Sequence, residues 1–198
     1  MKPISHVKGL VICHGKSELS IANYITTNLH LRVDRYARDK GKHSIQITAL
    51  DSLLKEIPFK SPSEFLKKYP VETNGKGKNI KLLNFRLFII MDTDDCTPAQ
   101  AQDFMSGKMF SGHWLAPYIV PIYSIQKMEH AMVEAGIMKK EIKESDKGSF
   151  YERIFPINPK PLSYDTFSEI KTFRQKIENC KKTNLKEFVD YCLSLVQG

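Results

Sequence analysis

The chain is short of several things, and each shortage excludes a class of protein. Four cysteines among 198 residues, at positions 13, 96, 180 and 192, form no Cys-x-x-Cys pair. A zinc knuckle or a disulfide-stapled fold needs closer or more numerous thiols, so the expectation is reduced, mostly buried cysteines. No apolar run approaches the length that spans a bilayer. The opening Met1-Lys2-Pro3-Ile4-Ser5-His6 has no apolar core of the signal-peptide kind. The expectation is a cytoplasmic protein that does not enter a membrane. Internal repeats, low-complexity tracts and clear linkers are also missing, and 198 residues can close one sizeable core.

Acid is the scarcer charge: 22 Asp and Glu stand against 30 Lys and Arg, a net charge of +8. That balance favours an anionic partner, whether nucleic acid, nucleotide or acidic protein. The positive charge is grouped. Arg32, Arg35, Arg38, Lys40 and Lys42 form one cluster, Lys76, Lys78 and Lys81 a second, and Lys139, Lys140 and Lys143 a third. Arg32, Arg35, Arg38, Lys76 and Lys78 are the candidate nucleic-acid contacts. The last two lie in Asn74-Gly75-Lys76-Gly77-Lys78-Asn79, a flexible loop by composition.

The scarce acid is concentrated at one place. Phe85-Arg86-Leu87-Phe88-Ile89-Ile90-Met91 runs into Asp92-Thr93-Asp94-Asp95. A continuous apolar run of strand length reads as a strand buried on both faces, as in a parallel sheet covered by helices. Its C-terminal end is where such sheets bind ligands. On extended backbone Asp92 and Asp94 point to one side, where they repel unless a cation lies between them. Oxygen-only ligands of this kind suit Mg²⁺ or Mn²⁺. The plainer reading is a polar loop in which Asp94 or Asp95 caps the following helix.

Elsewhere the pattern predicts an α/β chain. Val7 to Cys13 reads as a strand. Gly15 permits a tight turn, and residues 17–30 carry apolar groups at helical spacing. Residues 31–42 read as exposed and polar, and the alternation of Ile45 and Ile47 predicts a short strand over 44–49. Ser61-Pro62 and Thr97-Pro98 start helices. Tyr118 to Tyr123 is a further strand, and Met128, Ala131, Met132 and Ala135 form a helical face. Residues 138–149 read as charged and mobile. Two helices, 163–180 and 183–196, close the chain, the second with a stripe best explained by core packing. The expected organisation is an α/β core over 1–137 with a helical C-terminal extension over 138–198 packed on it, one domain overall.

Two loops of this plan carry chemistry: His14-Gly15-Lys16-Ser17-Glu18 after the first strand, and Asp92 to Asp95. Together they resemble the TOPRIM family, found in topoisomerases, bacterial primases and stand-alone nucleases of phage defence and RNA maturation. The resemblance covers roughly residues 7–136. Glu18 matches the later acid of the family's first motif, and Asp92 and Asp94 match its Asp-x-Asp, but His14 stands where the family has a leading glutamate. The resemblance implies a mainly parallel sheet flanked by helices and a Mg²⁺- or Mn²⁺-dependent nuclease. Glu18, Asp92, Asp94 and Asp95 would hold the metal, while His14 and Glu18 would carry the proton work; Lys16, beside Gly15, reads either as a phosphate contact or as a solvated turn residue, the former being preferred. It leaves open whether the chain acts alone or beside a partner such as an ATPase. Histidine moves protons near neutral pH but is a poor Mg²⁺ ligand, so a binding module without cleavage is the alternative. A third reading is a haloacid-dehalogenase-like phosphatase, whose Asp-x-Asp-x-Thr is missed by one residue at Thr97. Glu129 reads either as a further acid of the site or as a solvated residue of a first helical turn, the latter being preferred. Lys147, Tyr151 and Arg153 read either as a basic-aromatic patch or, more simply, as an amphipathic segment leading into Phe155-Pro156.

Overall fold

The computed structural model describes residues 5–75, 77–142, 146–157 and 164–197, and for residues 78, 148, 164 and 197 the backbone alone. Four parallel strands form the central sheet: β1 (Gly9–Cys13), β2 (Val33–Tyr36), β5 (Arg86–Asp92) and β6 (Ile119–Ser124), in the order β2-β1-β5-β6. A two-stranded antiparallel hairpin, β3 (Thr73–Asn74) and β4 (Lys81–Leu82), precedes β5. The fold is α/β, with an all-parallel sheet between helical layers.

The apolar run 87–91 serves both layers, because successive strand residues face opposite ways. Phe88 and Ile90 join Val11, Cys13 and Ile122 in one core. Leu87, Ile89 and Met91 join Leu10 and Ile12 in the other. The first core is closed by α1 (Lys16–Asn28), α5 (Met128–Glu134), α6 (Lys147–Ile154), α7 (Tyr164–Ile177) and α8 (Lys186–Gln197). The second takes α2 (Leu50–Lys55), α3 (Pro62–Lys68) and α4 (Pro98–Met105). Each fully buried Leu, Ile or Phe of these layers contributes roughly 1.5–3 kcal/mol.

Two strand expectations change. Residues 33–36 form an edge strand, with Gly9 to Ile12 paired to Val33 to Tyr36. Residues 44–49 form no strand: Ile47–Ala49 is a single 3₁₀ turn. Ile45 and Ile47 are fully buried and act as plugs that hold a loop against the second core. The charged stretch 138–149 also ends in order, since residues 147–149 begin α6.

The C-terminal helices are built into the first core. Phe173, Ile177, Leu185, Phe188 and Cys192 pack with the sheet residues Val11 and Phe88, and Tyr191 Oη donates to the Lys8 carbonyl at 2.6 Å. The turn between α7 and α8 runs along β6. Asn184 accepts from Tyr123 N at 2.8 Å and donates to the Pro121 carbonyl at 3.0 Å. Thr183 Oγ1 donates to the Tyr123 carbonyl at 2.6 Å, and Ile125 N to the Lys182 carbonyl at 2.7 Å. Among the described residues no helix is long and apolar enough to cross a membrane.

Candidate functional site

All four strands point the same way, so the loops after β1, β2, β5 and β6 meet at one edge of the sheet. There they enclose a cavity of about 330 Å³ lined by His14, Gly15, Lys16, Ser17, Glu18, Gly41, Lys42, Ser44, Asp92, Asp94, Lys127, Glu129 and Lys147. The loop after β1 and the loop after β5 therefore converge, and the other two loops add residues to both.

Glu18 enters through the first turn of α1. Its Oε2 accepts the Gly15 N–H at 2.8 Å, which folds the carboxylate back over the turn and caps the helix start. The side chain is 2% exposed. Burial pushes its carboxyl above the ordinary range, His14 and backbone N–H bonds draw it partly back, and Glu129 adds to the rise. Asp92 is the last residue of β5 and shares the parity of Phe88 and Ile90, so it emerges on the α1–α5 side. Its Oδ1 accepts Met128 N at 2.9 Å, at the start of α5. At 6% exposure, burial, then Glu18, Glu129 and Asp94, push its carboxyl up to about 9. At neutral pH without a cation, the site holds a proton where an open carboxylate would hold none.

Glu129 is the residue that sequence reasoning misplaced. It is 2% exposed, not solvated. Ser17 Oγ and Tyr151 Oη donate to its Oε1 at 2.9 and 3.2 Å, and Lys147 Nζ lies 3.3 Å from its Oε2. Tyr151 is fully buried in α6. That helix is amphipathic, with Tyr151 buried and Glu152 and Arg153 exposed, and its buried face is part of the site's wall. Asp94 lies in the turn beyond β5 and pairs with Lys127 at 3.7 Å.

His14 is held twice by one residue. Ile45 N donates to its carbonyl at 2.7 Å, and its Nδ1 lies 2.9 Å from the Ile45 carbonyl. A carbonyl can only accept, so Nδ1 carries the proton and Nε2 is the basic nitrogen of the neutral ring. Lys16 is half-exposed and pairs with Glu152 of α6 at 3.7 Å. Asp95 does not line the cavity. Its Oδ1 is buried without a hydrogen-bond partner among the described residues, and burial raises its carboxyl while His14 lowers it.

The basic cluster after β2 is divided by the fold. Arg38 and Lys40 belong to a turn, Arg38–Gly41, at the site's edge of the sheet, and Lys42 reaches the cavity. Asp39 and Lys40 take left-handed φ of 44° and 54°, a costly conformation for residues with a Cβ. Gly41, at φ 85°, lies so near the Gly15–Lys16 backbone that a Cβ would come within 3.0 Å of Lys16 Cα. Arg35 donates to Thr26 Oγ1 at 2.6 Å. Arg32 precedes β2 and donates to Ser5 Oγ at 2.7 Å, at the opposite edge. Lys76 and the side chain of Lys78 lie outside the described residues.

Four carboxylates and two serine hydroxyls line the cavity beside the His14 ring, and those oxygens suit a hard cation. Among the described residues no three His, Cys, Asp or Glu side chains are already gathered at ion-holding distance, and two of the acids, Glu129 and Asp94, are paired with ammonium groups. A Mg²⁺ or Mn²⁺ ion keeping several of its own waters is the kind that such a loose set accommodates. Compared with known proteins, the chain matches no family model, no curated protein and no solved structure.

Proposed function

We propose that this chain performs divalent-metal-dependent phosphodiester chemistry on nucleic acid, as a small TOPRIM-like nuclease. One observation carries the reading: Glu18, Asp92, Asp94 and Glu129 share a cavity with Lys16, Lys42, Lys127 and Lys147 at the C-terminal edge of a parallel sheet. Buried acids that repel one another favour a cation, and a rim of ammonium groups favours a phosphate beside it. Glu18, Asp92 and Asp94 would hold Mg²⁺ or Mn²⁺, which when bound supplies Lewis-acid stabilisation of a phosphodiester oxygen. Lys16 and Lys42 would position the phosphate, the surface pairing of Lys16 with Glu152 being weak enough to exchange. His14, with Nδ1–H committed to Ile45, would take a proton from an attacking water at Nε2. Action in phage defence or RNA processing, alone or beside an ATPase, belongs to the same proposal.

A specific observation favours the second reading, a binding module without cleavage. Both hydrogen bonds between His14 and Ile45 give the histidine a loop-holding role that needs no chemistry. Three variants separate the readings in Mn²⁺-dependent cleavage assays on DNA and RNA. His14→Ala losing cleavage, with His14→Glu keeping it, supports the nuclease. Cleavage by His14→Glu alone supports the binding module. Equal Mn²⁺ affinity in wild type and in Asp92→Asn with Asp94→Asn removes the metal site altogether.

A further inference from the structure

A second hollow opens beside the acidic cavity. It measures about 430 Å³ and is lined by Lys16, Leu19, Ser20, Asn23, Lys40, Glu152, Phe155 and Ile157. Lys16 lines both spaces, so the two share a wall. At that wall Lys16 pairs with Glu152 of the second hollow, 3.7 Å apart with both side chains at least half-exposed, an arrangement that contributes little and releases readily.

The chemistry changes across the wall. The first space presents acids and ammonium groups. The second presents Leu19 and the Ile157 side chain, which is 52% exposed, over a Phe155 that is 4% exposed, with Ser20, Asn23 and Lys40 as polar groups. Apolar walls with a few polar groups are the composition of a small-molecule subsite, and the volume is sufficient for one nucleobase with its sugar. A planar ring packed on Leu19 and Ile157 would leave its attached phosphate at Lys16, beside the acids. A base can enter only if it is out of a duplex stack.

Resting on the nuclease reading, we propose that this hollow receives one unpaired base of the substrate, so that the chain acts on single-stranded nucleic acid or on a frayed end. Specificity then comes from strand state, and Ile157, Leu19 and Asn23 are the residues that sense it.

The test is a binding scan, read by fluorescence anisotropy with Ca²⁺ in place of Mg²⁺, using single-stranded DNA and RNA 12-mers carrying one abasic residue at each position in turn. The expected result is one position at which loss of the base weakens binding about fivefold or more, the order of one lost stack. In Ile157→Ser that sensitivity should vanish, and in Ile157→Phe it should return. Ile157 is solvent-exposed, so neither variant threatens the fold, which circular dichroism checks. A fully paired blunt duplex of the same sequence should bind more weakly than the single strand. A flat abasic scan, or a sensitive position unchanged in Ile157→Ser, overturns the subsite. Mn²⁺-dependent cleavage measured in parallel separates the two claims. A flat scan with cleavage sinks the subsite alone. A sensitive position without cleavage sinks the nuclease reading and keeps the subsite. No binding of any strand overturns both.

Discussion

The two edges of the central sheet treat charge in opposite ways. At the N-terminal edge, charges are exposed and singly satisfied. Lys8 meets Glu72 at 3.6 Å, Arg32 meets Ser5, and Arg86 donates to the Phe85 carbonyl at 3.2 Å. At the C-terminal edge three acids are 6% exposed or less, and Glu129 raises the proton affinity of both Glu18 and Asp92. Nothing in folding requires such a cluster, since well-packed apolar groups of similar volume would be at least as stable. The comparison teaches that an unfavourable arrangement, more than an abundance of charge, distinguishes the site.

The largest expected break comes from removing that arrangement. Asp92→Asn and Glu18→Gln should each lower metal-dependent cleavage on the order of a hundredfold or more, while Arg32→Ala at the other edge should stay near wild type. Single-turnover assays on one oligonucleotide compare all three.

Next in size are two glycines, one at each edge. Gly41→Ala forces a Cβ onto the Lys16 backbone at a left-handed φ and should cost on the order of 1–3 kcal/mol. Gly9→Ala, whose Cβ would meet nothing nearer than 3.4 Å, should cost distinctly less. Urea titrations of both variants measure the difference.

The pH dependence sharpens the contrast. The Asp92 carboxyl is raised in the folded chain to about 9 from 3.8, so the native state holds a proton that the unfolded chain releases. That contribution is complete below pH 4, about the unfolded carboxyl's range, and is lost as pH rises toward the folded value. Metal-free Asp92→Asn should therefore gain stability over wild type at pH 8 and show little gain at pH 4, a difference of a few degrees in Tm. Thermal melts in EDTA at the two pH values decide it. A gain of the same size at both would mean that the burial does not act through protonation.

The smallest effect concerns phosphate contacts. Lys127→Ala should reduce the slope of log affinity against log salt by about one, and Arg32→Ala should change it less.

The sequence discloses β1, β5 and the helices after them because continuous apolar runs and helical spacing leave few alternatives. It hides β2, since Val33-Asp34-Arg35-Tyr36 buries only Val33 and an edge strand needs a partner on one side only. Ile45 and Ile47 mimic a strand by alternating, yet they plug a loop. Glu129 was obscured by its own ordinariness: a glutamate in a first helical turn is usually solvated. A positional signal was present, because Glu129 follows the end of β6 by the same number of residues as Glu18 follows the end of β1. Lys147 and Tyr151 gave no such signal. They lie on a helix remote in sequence from both loops, and no periodicity encodes that approach.

The turn that lies along β6 has a consequence for how copies of the chain meet. An open parallel sheet ends in backbone groups that can pair with any passing strand. At Tyr123 and Pro121 those groups are already taken by Asn184 and Thr183, so that part of the flank is closed to intermolecular pairing. A chain shortened before residue 178 would lose this guard together with α8, and its β6 flank would become a place where strands of neighbouring molecules add and aggregates grow.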